Sequence, residues 1–358
     1  MFIYNGIEAH LSLNKWKSIG GEGRNSKVHI AHDPQLNEAL VLKEITKKSL
    51  DDQKVTDYFL EAQILNEANH PHIMPIRYAA QDKDNVYITM PFYEKGSVNT
   101  LMEHKPLTVR EIIKYSLDFL SGLLFIHVKG MLHLDLKPTN VIVNDNDRAI
   151  LTDFGLARYL DENGFASQEW QYTQHRSPES YNTTDKTVFD DVYQAGLTLY
   201  RMCNGNEVFK NQHKILVEGN NFEREKIIEA IQKGLFPDRK FYLPHIPKKL
   251  RGIINKAMHN DPDKRYKSVL EIINALSKID ENLDWEYTRN NDANEHSWIL
   301  DKEKSQITIS LGKTNDEWKT SALKLTKASG RTTNISGMNA VFGNEEEAFK
   351  FLEGNFNH

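Results

Sequence analysis

A short polar segment in the middle of the chain has the residue types that phosphoryl transfer requires. Residues 133–140 read HLDLKPTN, and the triplet DFG begins at Asp153, 18 residues after Asp135. Mg²⁺ prefers oxygen ligands and keeps several waters, so Asn140 and Asp153 could hold it beside nucleotide phosphates. Asp135 could then accept a proton from an attacking hydroxyl, and Lys137 could neutralise charge on the transferred group.

Two features nearer the N-terminus could bind the phosphates of a nucleotide. Gly21 and Gly23 lie between two predicted strands, where a glycine turn lets backbone N–H groups approach an anion, although a simple turn would also explain them. Lys43 follows three apolar residues of a predicted strand, and a solvated edge lysine is the alternative reading. Glu61, in a predicted helix, could hold Lys43 in place or could simply be exposed.

The elements that must position these residues change in character along the chain. Alternating apolar and polar residues predict strands at 27–31, 39–45 and 86–90, with a turn at 33–37. Apolar residues at helical spacing predict a helix at 56–66, and again over 109–127 and much of 188–279. A β-rich region therefore precedes an α-rich one.

A third region follows a polar stretch near Asn290. Alternation predicts strands at 305–310 and 322–326, and residues 345–352 have the pattern of a helix with acidic residues in its first turn. This pattern indicates a small folded region but carries no recognisable chemistry.

Composition excludes several classes of protein. The chain has 358 residues, of which 39% are hydrophobic and 27% are charged, so it is not disordered, collagen-like or a coiled-coil rod. Its net charge of −5 gives no basic excess for binding nucleic acid. Cys203 is the single cysteine, which excludes an intrachain disulfide and a cysteine-based zinc site. Without a long apolar run or a signal-peptide pattern, we expect a cytoplasmic protein with no membrane contact.

Taken in order, these motifs resemble the eukaryotic-type (Hanks-type) protein kinase family, and specifically its serine/threonine kinases. The resemblance covers about residues 12–280. It includes three further matches to the family: the segment Ser177-Pro-Glu179, a segment at Asp191 that resembles the family's helix with a buried aspartate, and the distant Arg265. It implies an α+β, two-lobed kinase-like fold, with a β-rich lobe over 12–92 and an α-rich lobe over 93–280. We expect a linker at 281–297 and a small β-rich accessory domain with a closing helix at 298–358.

The resemblance also implies roles for individual residues. Lys43 would hold the α- and β-phosphates of ATP and pair with Glu61, and Asp135 would be the catalytic base assisted by Lys137. Asn140 and Asp153 would bind Mg²⁺, or Mn²⁺ in its place. The further ATP-binding residues are expected to be Ile19, Gly21, Gly23, Val28, Val41, Met90 as gatekeeper, Phe92 and Tyr93 in the hinge, Ser97 and Ile142. Three residues are expected to act structurally, with Glu179 pairing with Arg265 and Asp191 bracing the backbone at 133–134.

Four departures from the family pattern bear on function. Ser26 replaces the third loop glycine, and Val41 narrows the adenine slot. Leu134 stands where most members carry an arginine that pairs with a phosphorylated activation-loop residue, so we expect a kinase of the non-RD type that does not depend on that phosphorylation. The usual activation-loop threonine position holds Tyr172, with Thr173 one residue later.

Within that family, a lysine two residues after the catalytic aspartate is the serine/threonine pattern, so the resemblance implies serine and threonine as acceptors. The leading hypothesis is an ATP-dependent serine/threonine protein kinase acting on protein substrates. A pseudokinase or nucleotide-binding scaffold is the first alternative, but the intact metal ligands Asn140 and Asp153 argue against it. A small-molecule kinase is the second, and it would lack the Ser-Pro-Glu segment. The C-terminal region could mediate protein interaction or dimerisation, and no nucleic-acid partner is expected.

Overall fold

A computed structural model of the chain describes residues 12–19, 26–47, 70–168 and 173–356. The chain divides into two compact units. The first ends at Glu94 and also includes Thr152–Gly155; the second contains Lys95–Leu151 and everything from Leu156 onward. The predicted helix at 56–66 lies outside the described residues.

The first unit is an antiparallel sheet of five strands in the order β1-β2-β3-β5-β4. The three strands predicted at 27–31, 39–45 and 86–90 are confirmed as β2, β3 and β5. The turn predicted at 33–37 is also present, because Asp33 Oδ1 accepts hydrogen bonds from the backbone N–H groups of Gln35 and Leu36. The strands are β1 (Asn14–Ser18), β2 (Ser26–Asp33), β3 (Glu38–Thr46), β4 (Tyr78–Gln81) and β5 (Asn85–Pro91).

The second unit is mostly helical in its first part. Its two longest helices begin with capping boxes, formed by Thr108 with Glu111 and by Thr187 with Asp190. The helix that begins at Val188 kinks at Gly205, where φ is +83°. The helices are α1 (Val98–His104), α2 (Val109–Val128), α3 (Val188–Gly219), α4 (Arg224–Gln232), α5 (Lys248–Ala257) and α6 (Val269–Leu276).

Short strand pairs hold the loops between these helices. Their positions matter because the polar segment 133–140 lies between two of them. The pairs are β6 (Met131–Leu132) with β9 (Arg158–Tyr159), β7 (Val141–Val143) with β8 (Ala149–Leu151), and β10 (Ala166–Ser167) with β11 (Asp185–Lys186).

The C-terminal region is a six-stranded antiparallel sheet closed by the helix α7 (Glu345–Glu353). The segment 281–297, expected as a linker, instead contains all of β12 and the first residues of β13, because Trp285 and Tyr287 alternate with polar residues and are buried. Of the polar run 289–294 that suggested a linker, Arg289 and Asn290 end β12, and residues 291–294 form the turn between the two strands. The strands are β12 (Trp285–Asn290), β13 (Glu295–Asp301), β14 (Ser305–Thr314), β15 (Glu317–Thr326), β16 (Arg331–Asn334) and β17 (Ala340–Phe342).

This sheet packs against the helices of the same unit. Trp298 on β13 donates its indole N–H to Nδ1 of His245 at 3.0 Å, and both side chains are fully buried. Arg251 on α5 pairs with Glu353 on α7 at 2.6 Å. Burial lowers the pKa of His245 to about 3, so this imidazole stays neutral and accepts the Trp298 hydrogen bond. Among the described residues, none of the helices has the length and hydropathy needed to cross a membrane.

The buried His245 makes the stability of the chain depend on pH. Its folded pKa lies below the usual 6.5, so its contribution is complete above about pH 6.5 and is lost as the pH falls toward 3. We expect wild type to lose about 2 kcal/mol of unfolding free energy through this residue between pH 7 and pH 5. His245→Asn, whose side-chain oxygen can still accept from Trp298, should remove that part of the loss in urea unfolding. His104→Asn, at an exposed position on α1, is the control, and an equal pH-dependent loss in His245→Asn and wild type would contradict the prediction.

Candidate active site

In the first unit, the expected nucleotide-binding residues share one face of the sheet. Val28 on β2 lies opposite Lys43 on β3, and Val41 lies opposite Met90 on β5. Opposite residues of an antiparallel pair project to the same face, as do residues two apart on one strand. Val28, Val41, Lys43 and Met90 therefore line a single surface.

Lys43 on this face is held by the aspartate of the DFG triplet. Lys43 is 8% exposed, and its Nζ lies 2.8 Å from Oδ1 of Asp153. The Asp153 side chain is partly exposed, and its backbone is left-handed, with φ at +64°. The contact brings a buried ammonium group and a carboxylate together. An ammonium group can bind phosphate oxygens and a carboxylate can bind a metal ion, so the pair suits a site for a polyphosphate and its metal.

Three other expected nucleotide-binding residues are described by a backbone contact or by their burial. Ile19 donates its backbone N–H to Val28 at 2.8 Å, and Phe92 and Tyr93 are half-buried just after β5. The expected positions Gly21, Gly23 and Glu61 lie outside the described residues.

Asp135, Lys137 and Asn140 come together in the second unit. Lys137 Nζ lies 3.0 Å from Oδ2 of Asp135, and all three side chains are buried. Asn140 donates its amide Nδ2 to the backbone carbonyl of Asp135 at 2.8 Å and to its Oδ2 at 2.9 Å. Because Nδ2 is committed to Asp135, Asn140 has its Oδ1 as the acceptor atom. An amide oxygen here and a carboxylate at Asp153 are the donor types that Mg²⁺ prefers, so the residues fit that ion.

Asp191 braces the backbone that precedes Asp135. It accepts the N–H groups of His133 and Leu134, each at 2.8 Å, and lies 2.7 Å from Nε2 of His127. Burial raises the pKa of Asp191, but the hydrogen bonds from His127 and the backbone outweigh burial and hold that pKa below its usual value. The carboxylate is therefore charged at neutral pH, which keeps these bonds charge-assisted.

Ser97 and Ile142 lie opposite each other in an isolated bridge of the second unit. Ser97 is also the N-cap of α1, where its Oγ accepts the N–H of Thr100 at 3.1 Å. The cap gives Ser97 a structural role in the helix, besides the ATP contact that the resemblance implies.

The sequence of this site matches one family. Residues 14–276 match the sequence profile of the protein kinase domain. The chain belongs to the protein kinase family. Its kinase domain is 26% identical over 262 residues to the probable serine/threonine-protein kinase PknB of Lactococcus lactis, covering 72% of this chain and 40% of that protein.

Two further relatives of the kinase domain come from distant organisms. The serine/threonine-protein kinase AtPK1/AtPK6 of Arabidopsis thaliana is 27% identical, over 62% of this chain and 50% of that protein. The serine/threonine-protein kinase PknD of Protochlamydia amoebophila is 26% identical, over 73% of this chain and 29% of that protein. The chain thus spans half or less of the length of these curated relatives.

In this kinase domain, the arginine position before Asp135 is occupied by a buried leucine. Leu134 is fully buried in an apolar cluster with Leu132 and Ala166, and Leu156 and Leu160 pack against it. Three of these residues follow the DFG triplet, so the cluster joins the segment 133–140 to the segment after that triplet. Ser167 in this segment is exposed, whereas Tyr172 and the side chain of Thr173 lie outside the described residues.

His175 is a site residue that the sequence analysis missed. Burial, Arg201 and Lys137 lower the pKa of His175 well below its usual value, so its ring is neutral. Nε2 lies 2.8 Å from Nη1 of Arg201 and must accept from it, which leaves the proton on Nδ1 to donate to the carbonyl of Leu136 at 3.0 Å. A lone histidine in a loop gives no sequence signal for such a contact.

Glu179 and Arg265 form a two-pronged ion pair. Two nitrogens of Arg265 lie 2.6 and 2.7 Å from the two carboxylate oxygens of Glu179. Arg265 is 2% exposed, and its guanidinium also donates to the backbone carbonyls of His259 and Phe189. The pair ties the Ser-Pro-Glu segment to the loop before α6.

Replacing Arg265 by lysine should therefore destabilise the chain. An ammonium group cannot make the two parallel bonds, so the partly buried Glu179 would keep at most one of them, and the carbonyls of His259 and Phe189 would lose their guanidinium donor. We expect Arg265→Lys to lower the free energy of unfolding by about 3 kcal/mol in denaturant melts. Lys264→Ala breaks an exposed 3.3 Å contact with Asp261 and should cost less than about 0.5 kcal/mol. Equal losses in the two variants would contradict the prediction.

Proposed function

We propose that this protein is an ATP-dependent serine/threonine protein kinase that transfers the γ-phosphoryl group to protein hydroxyls. The observation that carries the proposal is the buried cluster of Asp135, Lys137 and Asn140. It combines a carboxylate that can accept a proton, a cation beside it and an amide that fixes the carboxylate. Family membership and the names of the relatives support the same activity.

In the proposed mechanism, Asp135 orients the acceptor hydroxyl and accepts its proton as the oxygen attacks phosphorus. Asn140 holds the Asp135 carboxylate in place, which avoids the cost of ordering it during the reaction. Lys137 stabilises negative charge that develops on the transferred group. The lysine two residues after Asp135 supports serine or threonine as the acceptor.

The ATP site is proposed from the residues that the family resemblance implies. Lys43 would contact the α- and β-phosphates, and Glu61 would orient it. Val28, Val41 and Ile142 would contact the adenine ring, with Ile19, Gly21, Gly23, Met90, Phe92, Tyr93 and Ser97 completing the ATP site. Asn140 and Asp153 would hold Mg²⁺ or Mn²⁺, which when bound neutralises charge on the phosphates.

Transfer of labelled γ-phosphate from ATP tests the proposal directly. With Mg²⁺ or Mn²⁺, wild type should label itself or a generic protein substrate on serine or threonine. Asp135→Asn should lower the rate by about 10²- to 10⁴-fold, because the proton acceptor is lost. Asp145→Asn, at an exposed turn position, should keep the wild-type rate. Nucleotide binding without transfer would instead support a pseudokinase. Labelling of small molecules alone would support a small-molecule kinase.

We further propose that activity does not depend on phosphorylation of the activation loop. Leu134 cannot pair with a phosphate, and it belongs to an apolar cluster against which Leu156 and Leu160 pack. Apolar contacts of this kind do not change when a nearby hydroxyl is modified. The order of this segment is therefore supplied by burial instead of by a charge pair.

Phosphatase treatment tests this second proposal. We expect enzyme treated with a serine/threonine phosphatase to keep its initial rate within about twofold, since no contact of Leu134 requires a phosphate. The same measurement on Asp135→Asn gives the background. If treatment abolished activity and Ser167→Glu or Thr173→Glu restored it, the proposal would be wrong.

The accessory sheet that starts at Trp285 is proposed to mediate protein interaction or dimerisation, with protein substrates as the partners of the kinase domain. The oligomeric state of the full chain, measured by analytical ultracentrifugation, tests the dimerisation role, since removal of the sheet would uncover the rings of His245 and Phe241.

A further inference from the structure

Gln194 on α3 forms hydrogen bonds with the backbone on both sides of Asp135. Its Oε1 accepts the N–H of Leu136 at 2.8 Å, and its Nε2 donates to the carbonyl of Leu134 at 2.9 Å. The side chain is 1% exposed. Because one backbone group must donate and the other must accept, only this orientation of the amide satisfies both. We infer that Gln194 is a positioning residue for Asp135, an inference that rests on the proposed function.

The backbone that Gln194 holds is in a costly conformation. Leu134 has φ at +62°, in the left-handed region that costs a branched residue about 1–2 kcal/mol. Asp191 holds the N–H of Leu134, and Gln194 holds its carbonyl, so both peptide groups of this residue are fixed. The strained residue directly precedes Asp135 and sets the direction from which the catalytic side chain projects.

Both braces come from one helix. Asp191 and Gln194 are three residues apart on α3, so they lie on the same face and move together. Asp191 fixes the loop before Asp135, whereas Gln194 also reaches the residue after it. Without Gln194, a buried carbonyl at Leu134 and a buried N–H at Leu136 would both lose their partner amide, and a shift of the loop would be the cheapest way to satisfy them. A misplacement of about 1 Å in a catalytic group can cost about 10²-fold in rate.

The same helix offers a matched control. Asn204 is also buried and also bridges a backbone segment, with Nδ2 donating to the carbonyl of Phe241 at 3.4 Å and Oδ1 accepting the N–H of Leu243 at 3.2 Å. That segment has no part in the proposed chemistry. Gln194→Met and Asn204→Leu both remove an amide that bridges two backbone groups while keeping a similar apolar volume.

The test compares steady-state kinetics and thermal stability of wild type and the two variants. We expect Gln194→Met to lower kcat by about 10- to 100-fold with the KM for ATP within about twofold. Asn204→Leu should lose stability to a similar degree and keep the wild-type kcat. If Gln194→Met does not fold, Gln194→Asn replaces it, because an amide shortened by one methylene cannot reach both groups.

The inference is overturned if the Gln194 variants keep the wild-type kcat, or if Asn204→Leu lowers kcat as much as they do. Failure of the proposed function looks different. In that case wild type would be inactive, or Asp135→Asn would be as active as wild type, whatever Gln194 does.

Discussion

The buried carboxylate of Asp191 is the group on which the conformation of the loop before Asp135 depends. Its side chain is inaccessible to solvent, and burying a charge is costly unless hydrogen bonds compensate. Two backbone N–H groups and the ring of His127 provide this compensation. In return, the carboxylate fixes residues 133 and 134 in a conformation that the chain would not otherwise adopt. The position of Asp135 follows from these hydrogen bonds, because they fix the two residues that precede it.

The helix that carries Asp191 also anchors the segment that precedes it. Asp190 accepts hydrogen bonds from the hydroxyls of Ser177 and Ser180, and burial raises its pKa despite these bonds. Further along α3, Arg201 meets His175, which in turn donates to the carbonyl of Leu136. One helix therefore fixes the catalytic loop and the Ser-Pro-Glu segment together. A distortion of α3 would disturb both, which links the stability of this helix to the geometry of the proposed site.

Local patterns explain what could be predicted from the sequence. Strands β2, β3 and β5, the helix α2 and the closing helix follow from periodicity and capping, because these signals lie within a few residues. The contact Glu179–Arg265 was expected only through the family resemblance, since it joins residues 86 positions apart. The contact Lys43–Asp153, which joins residues 110 positions apart, was not expected, because the sequence analysis paired Lys43 with Glu61. His175 and Gln194 could not be predicted, because their roles depend on which distant backbone groups they meet. Strand β12 was missed because its polar half masked the alternation of Trp285 and Tyr287.

The boundary of the family match does not coincide with the boundary of the packed core. The match ends at Leu276, yet His245 stacks on Tyr287 and contacts Phe356, while Phe241 contacts Phe349. The rings of His245 and Phe241, which belong to the kinase domain, would be exposed if the C-terminal sheet were absent. Exposed apolar surface of that kind favours association or misfolding. Arg110 also makes two hydrogen bonds to Asp284, just before β12. The sheet is therefore part of what keeps the helical region folded, and any role in protein interaction must use its remaining surface.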